Sequence, residues 1–131
     1  MRIATDELLA RLKEDPEFGL AARMWDCRIR FRMGAEGFIL VIRGGEATAV
    51  VEPAGIFDDW QIAISADDEV WGNVLAAVPP PFFHDLFPAQ LHHGLRMEGD
   101  LESLFAYYGA VRRLTEVMRS VHNDAPVAIP A

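Results

Sequence analysis

The order of apolar and polar residues divides the chain into stretches of two periods. Leu8, Leu9 and Leu12 recur at helical spacing behind Thr5, which is placed to cap their turn. Asp15-Pro16 restarts the chain as N-cap and first helical residue, and Phe18, Ala21, Ala22 and Trp25 follow at helical spacing. Residues 1–25 therefore read as helical. The period then falls to two. In Cys27-Arg28-Ile29-Arg30-Phe31-Arg32-Met33 apolar residues alternate with arginines, the pattern of a strand with one wet face. Gly34-Ala35-Glu36-Gly37 reads as a turn and Phe38-Ile39-Leu40-Val41-Ile42 as a second, more buried strand. Gly44-Gly45 turns the chain again into Glu46-Ala47-Thr48-Ala49-Val50-Val51. Three strands joined by short glycine turns make an antiparallel meander. Beyond a loop from Pro53 to Asp59, Trp60, Ile62 and Ile64 alternate as a fourth strand.

Helical spacing returns afterwards. Ser65-Ala66-Asp67-Asp68 reads as a capping-box-like helix start, with carboxylates at the positive end, and Val70, Trp71, Val74, Leu75 and Val78 share a face. Pro79-Pro80-Pro81 stops that helix. The aromatic segment Phe82-Phe83-His84-Asp85-Leu86-Phe87-Pro88 follows, and Leu95-Arg96-Met97-Glu98 is a short fifth strand. Asp100 caps the longest helix, whose stripe is Leu104, Tyr107, Tyr108, Val111, Leu114, Met118 and Val121, with Arg112, Glu116 and Arg119 opposite. Residues 124–131, rich in Pro and Ala, read as a frayed tail. Strands cluster and helices cluster, so the class is α+β in a single domain spanning 1–131.

Composition narrows the function classes. The net charge of −8 excludes a basic field for nucleic acid and disfavours a hold on anionic membranes. The single cysteine, Cys27, excludes an internal disulfide and a thiolate zinc cluster. No stretch reaches the roughly 20 apolar residues of a membrane span, and the start lacks the apolar run of a signal peptide. A cytoplasmic protein without stable membrane insertion is expected. An apolar fraction of 51% leaves side chains to line a cavity as well as a core.

The ordered set of features resembles the sterol carrier protein type two family. The residues that carry it are Ile29-Arg30-Phe31, Phe38 through Gly45, Ala47-Thr48-Ala49-Val50, Ile62 through Asp67 leading to Trp71, and Leu95 through Leu101 opening the last helix. It spans roughly residues 27 to 120. The resemblance implies a twisted, mostly antiparallel sheet of about five strands covered on one side by helices. It also implies an apolar tunnel between the two layers for acyl chains, sterols or similar ligands, and no shared catalytic residues. Pro79-Pro80-Pro81 and the phenylalanine cluster depart from the family's pattern.

Within that frame Phe82, Phe83, Leu86 and Phe87 read as one helical face, either closing the core or forming a lid at the tunnel mouth. Flanking prolines at 79–81 and 88 mark off the segment. Trp71, Leu75, Met97, Leu104, Tyr108, Val111 and Met118 are the candidate walls, with methionine suited to a promiscuous pocket. His84, His92, His93 and His122 have no metal-ligand spacing, and no cofactor or catalytic motif is present. Asp58-Asp59 suits a turn, Asp67-Asp68-Glu69 a helix start, and Cys27 a buried thiol. Arg28, Arg30 and Arg32 read as a solvated face, or as a partner for a carboxylate.

The expected function is non-catalytic binding or transfer of a hydrophobic small molecule. An accessory module presenting a prenylated or acyl substrate to a separate enzyme, for example in quinone biosynthesis, is the first alternative. A small cyclase or isomerase and a homodimerisation domain are the others.

Overall fold

Strand β1 (Cys27–Met33) alternates because it is the middle of the sheet and divides two environments. In the computed structural model, which describes residues 1–129, Cys27, Ile29, Phe31 and Met33 are at most 3% exposed, while Arg28, Arg30 and Arg32 stand on the other face. Strands β2 (Glu36–Arg43) and β3 (Glu46–Val51) extend the sheet on one side, and β4 (Ile62–Ala66) and β5 (Arg96–Gly99) on the other. The order is β3-β2-β1-β4-β5. The β1–β4 pair is parallel and the other pairs are antiparallel, so the sheet is mixed but mostly antiparallel.

The helices are α1 (Thr5–Glu14), α2 (Pro16–Ala21), α3 (Asp68–Val74), α4 (Leu86–His93), α5 (Leu101–Ala106) and α6 (Tyr108–His122). Their apolar faces join the inward strand residues in one core that includes Leu8, Phe18, Trp25, Trp71, Leu104 and Leu114. The fold is the α+β arrangement expected. No helix among the described residues is long and apolar enough to cross a membrane. Burial pushes the Cys27 thiol up to about 12.

Several ends differ from the sequence reading, each for a local reason. Ala4, not Thr5, is the N-cap of α1, and the Thr5 hydroxyl donates to Glu52 Oε2 at 2.6 Å instead. Asp15 caps α2 as expected, accepting from the Phe18 amide at 2.9 Å. Helix α3 ends at Val74, well before the prolines, and Val78 is exposed. Its terminal carbonyls are taken by side chains of α6: Arg119 donates to Val74 O and Asn123 to Leu75 O. A helix whose last carbonyls already have partners gains little from another turn. Pro88 does not flank α4 but sits inside its first turn, where the missing N–H leaves no bond unmade. The long final helix is two helices. Tyr107 breaks it at φ −110° and ψ 27°, with its ring stacked on Trp25 at 4.8 Å.

Arg113 is the charge that the pattern of α6 does not announce. Its side chain is 9% exposed and forms a fork on Asp15, with Nε to Oδ2 at 2.8 Å and Nη2 to Oδ1 at 2.9 Å. Nη1 continues to Glu116 at 3.2 Å and to the Ala128 carbonyl at 2.7 Å. Arg11 donates to the Ser120 hydroxyl and to the Ala125 carbonyl. Two arginines therefore hold the segment whose composition predicts fraying, up to Ala128. Pro130 and Ala131 lie outside the described residues.

The Arg113 side-chain hydrogen bonds hold the Asp15 carboxyl below its usual range. A lowered folded-state pKa contributes stability above the unfolded value of 3.8, which is lost as pH falls through the folded value. Removing one partner of a buried pair strands the other. Arg113→Met is expected to cost about 3 kcal/mol in urea unfolding at neutral pH, and Asp15→Asn/Arg113→Met to recover part of that loss. The acid limb of stability below pH 3.8 should flatten in the double variant. An additive double-variant cycle would contradict the coupling. Cys27 should stay unmodified by a thiol reagent in native protein and react fully once denatured.

Candidate functional site

One row of side chains crosses the helix side of the sheet. Phe38 on β2 pairs with Phe31 on β1, Phe31 with Ile64 on β4, and Ile64 with Met97 on β5. Most of the candidate wall residues belong to the same buried core as this row: Trp71 and Leu75 from α3 and its C-cap, Leu104 from α5, Val111 and Met118 from α6. All five are at most 1% exposed, and Met97 is 7% exposed. Trp71 meets Phe31 edge-on at 6.0 Å and donates its indole N–H to the Arg32 carbonyl at 2.8 Å. A buried tryptophan thus has its polar atom satisfied and its ring in the layer. Leu86, at the start of α4, belongs to the same core.

The phenylalanine segment does not form a single helical face. Phe82 has a positive φ of 70° and lies in a turn ahead of α4, with its ring against His92 at 4.3 Å and half its surface exposed. Phe83 turns inward and stacks on His93 at 3.9 Å. The start of α4 separates these two from Leu86 and Phe87, because Asp85 caps the helix by accepting from the Leu86 amide at 2.8 Å.

Phe87 joins a rim instead. Its ring meets Phe105 of α5 edge-on at 6.1 Å, and Phe105 stacks near Tyr108 at 6.5 Å. With Asp85 and Pro88 these three surround an open apolar depression of about 450 Å³. Phe87 and Phe105 are 39% and 54% exposed. These two rings leave contiguous apolar surface in water, a feature that contacts with other molecules use. Phe105 escapes the sequence-based candidates because it falls outside the α6 stripe. Its one signal is its place, between Leu104 and the two tyrosines.

Tyr108 fixes the rim. Its hydroxyl donates to Asp85 Oδ1 at 2.7 Å and accepts from the Phe87 amide at 3.0 Å. Arg112 approaches Asp85 Oδ2 at 3.5 Å. Burial, and then the hydrogen bond to Asp85, push the Tyr108 phenol above the usual tyrosine range. The three residues tie α4 to the start of α6. Asp85, in the sequence only a loop residue beside His84, is thus a structural member of the rim. A capping carboxylate before a first-turn proline is the signal that marks it.

The other candidates have local roles. Asp58 Oδ2 accepts from the Gly55 amide at 2.6 Å, and Asp67 caps α3 by accepting from the Val70 amide at 2.8 Å. No group of three or more His, Cys, Asp or Glu side chains suits a metal ion among the described residues. A larger depression of about 560 Å³ lies between the α1–α2 corner and the β2–β3 turn, with the core residues Leu12, Phe18 and Ala47 at its wall. Lys13, Glu14, Asp15 and Thr48 give it a mixed lining that does not suit an acyl chain or sterol. Apart from Tyr108, the wall candidates line none of the surface depressions described.

No family model and no curated protein matches the sequence. Solved structures do match in shape. The crystal structure of a sterol carrier protein 2 aligns with a TM-score of 0.72 at 20% identity, covering 92% of this chain and 97% of the other. A conserved hypothetical protein from Thermus thermophilus, described as possibly a sterol carrier protein, aligns with a TM-score of 0.64 at 20% identity, over 95% of this chain and 87% of the other. The UbiJ-SCP2 ubiquinone synthesis protein aligns with a TM-score of 0.56 at 19% identity, over 86% and 94%. The helices, the mixed five-stranded sheet and their arrangement make this chain an α+β domain with the fold of sterol carrier protein 2.

Proposed function

We propose that the chain binds a hydrophobic small molecule, a fatty acyl chain, sterol or similar lipid, in the apolar layer between its helices and its sheet, without catalysing a reaction. The observation that carries this reading is the aromatic rim of Phe87, Phe105 and Tyr108, which leaves an apolar patch exposed at the junction of α4, α5 and α6. The ligand lies along Trp71, Leu75, Met97, Leu104, Val111 and Met118, and passes the rim to reach them. Phe82, Phe83 and Leu86 belong to the segment that moves with α4. Enclosure contributes about 25 cal/mol for each Å² of apolar surface removed from water.

Admission requires α4 and α5 to separate from the sheet. Both are short, of 8 and 6 residues, and α5 is set off from α6 by the break at Tyr107. Short elements bounded by breaks open at lower free energy than the core strands do. The likeness to the UbiJ-SCP2 ubiquinone synthesis protein supports a second reading, in which the same layer shelters a prenylated substrate for a separate enzyme.

Native mass spectrometry of the purified chain, with solvent extraction of anything released, tests the proposal directly. A lipid or prenyl quinone held near one per chain supports it and names the class. An unliganded mass, with no thermal shift on adding fatty acid, acyl-CoA, sterol or prenyl quinone, overturns it. Phe87→Asp and Phe105→Asp should each weaken ligand affinity about tenfold or more, while unfolding stability shifts by only about 0.5 kcal/mol, as at exposed sites.

The rim also has a pH signature. The raised folded-state pKa of Tyr108 leaves its contribution to stability intact below the unfolded value of 10.0, with loss as pH rises beyond it. Tyr108→Phe should reduce the alkaline slope of thermal stability while leaving the acid limb unchanged. An unaltered alkaline slope would contradict the Asp85–Tyr108 linkage.

A further inference from the structure

The open face of the sheet carries an arrangement unrelated to the apolar layer. Arg28, Arg30 and Arg32 stand there in one column of β1, successive members roughly 6.5 Å apart, two residues of strand rise. The chain has 20 acidic residues against 12 basic ones. Even so, among the described residues neither Arg30 nor Arg32 makes an ion pair. Arg32 has only a long 3.4 Å contact from Nε to the Gly34 carbonyl, whereas Arg28 is held by the Asp59 carbonyl at 2.7 Å. Of the described residues Lys13, Arg23, Arg28, Arg43 and Arg119 also make no ion pair, but Arg30 and Arg32 are neighbours on one strand face and share one depression.

The register explains the space around them. In the parallel pairing Arg30 lies opposite Ala63 and Arg32 opposite Ser65; on the β2 side Arg32 lies opposite Gly37, while Arg30 lies opposite the buried Ile39. The small partners on β4 leave a depression of about 160 Å³, lined by Arg30, Arg32, Trp60, Ala63, Ser65 and Glu98. The one carboxylate in it, Glu98, is paired with Arg96 at 2.6 Å. Trp60, outside the strand it was expected to start, forms the wall. Gly99 makes this possible. It has φ +99°, and a Cβ there would come within 3.0 Å of the Trp60 ring and collide with the Gln61 carbonyl.

We infer that this depression is a binding site for an oxyanion, a carboxylate or phosphate monoester, carried on a planar or apolar group that lies against Trp60. Guanidinium forks match both oxyanions in geometry, and charge-assisted hydrogen bonds are the stronger class. The Ser65 hydroxyl is a further donor, and the indole face accepts a flat substituent. The volume suits a headgroup, since sites for drug-sized ligands begin at about 300 Å³. The sheet separates this site from the apolar layer, so its occupancy does not depend on the lipid-binding reading.

The test is a titration of the whole chain with phenyl phosphate and with benzoate at constant ionic strength, following indole and amide N–H signals. Saturable shifts are expected at Trp60, Arg30 and Ser65. Arg30→Gln/Arg32→Gln should weaken binding about tenfold or more, the scale of losing one charge-assisted hydrogen bond, while Arg23→Gln and Arg43→Gln leave it unchanged. Ala63→Glu, which puts a carboxylate on the floor and keeps both arginines, should abolish it. Cosedimentation with phosphatidic acid vesicles, against phosphatidylcholine vesicles, separates the two sources of the same chemistry. Arginine-dependent vesicle binding without phenyl phosphate binding assigns a lipid headgroup, and the reverse assigns a free anion. Shifts that do not saturate, or that fall equally on Arg23 and Arg43, together with vesicle binding absent or unaffected by Arg30→Gln/Arg32→Gln, overturn the site.

Discussion

Alternate side chains of a strand point to opposite faces, and in the central strand β1 this fixes what each side of the molecule can be. Cys27, Ile29, Phe31 and Met33 are all buried beneath helices, and Arg28, Arg30 and Arg32 all stand on the opposite face. A slip of one residue against β2 or β4 would bury three guanidiniums and expose Cys27 with three large apolar side chains, Ile29, Phe31 and Met33. The register is therefore held by the difference in solvation between the two sets. The floor row Phe38-Phe31-Ile64-Met97 depends on it, and so does the opposition of Arg30 to Ala63 and of Arg32 to Ser65.

The helical layer is held together by polar groups at helix ends as much as by its apolar stripe. Asp15 caps α2 and at the same time receives the Arg113 fork from α6. Arg119 and Asn123 complete the C-terminus of α3, and Tyr108 with Arg112 engages the cap of α4. Helix α6 thus anchors α2, α3 and α4 through their termini, where backbone groups lack helical partners. The result is a layer firmly pinned at α2 and α6 and pinned at one cap only where α4 meets the aromatic rim.

The strands are legible in the sequence because period two and glycine turns are local signals, and Cys27–Met33 is bounded as its alternation indicates. The caps Asp15 and Asp100 are legible for the same reason, whereas the capping-box start expected at Ser65 is displaced, since Ser65 and Ala66 stay in β4 and Asp67 caps α3. Features set by distant residues are not. Helix α3 stops early because α6 supplies partners for its carbonyls, and Arg113 looks like any arginine until Asp15 is brought to it. Trp71, Leu75, Leu104, Val111 and Met118 form one apolar group in the sequence and are buried in one core. Periodicity places them together but has no means of separating a filled core from a ligand wall, since both need the same side chains. Phe87 and Phe105 are the converse case: they lie 18 residues apart in the chain and meet only in the fold.

The two faces also differ in what binding would ask of the protein. Between helices and sheet, a ligand replaces contacts that the core already makes, so affinity is the gain from its own burial less the free energy of opening α4 and α5. That difference favours ligands large and apolar enough to offset the opening, and it leaves the choice among them loose, because apolar burial is not directional. On the arginine face no helix has to open. Arg30, Arg32 and Ser65 sit on paired strands, and the bare glycine at 99 leaves room for the Trp60 ring. There, affinity would come from charge-assisted hydrogen bonds, whose geometry discriminates among anions. A ligand with an oxyanion at one end and an acyl chain at the other cannot satisfy both, since the sheet lies between the two regions. The arginine face therefore selects a molecule or a surface of its own.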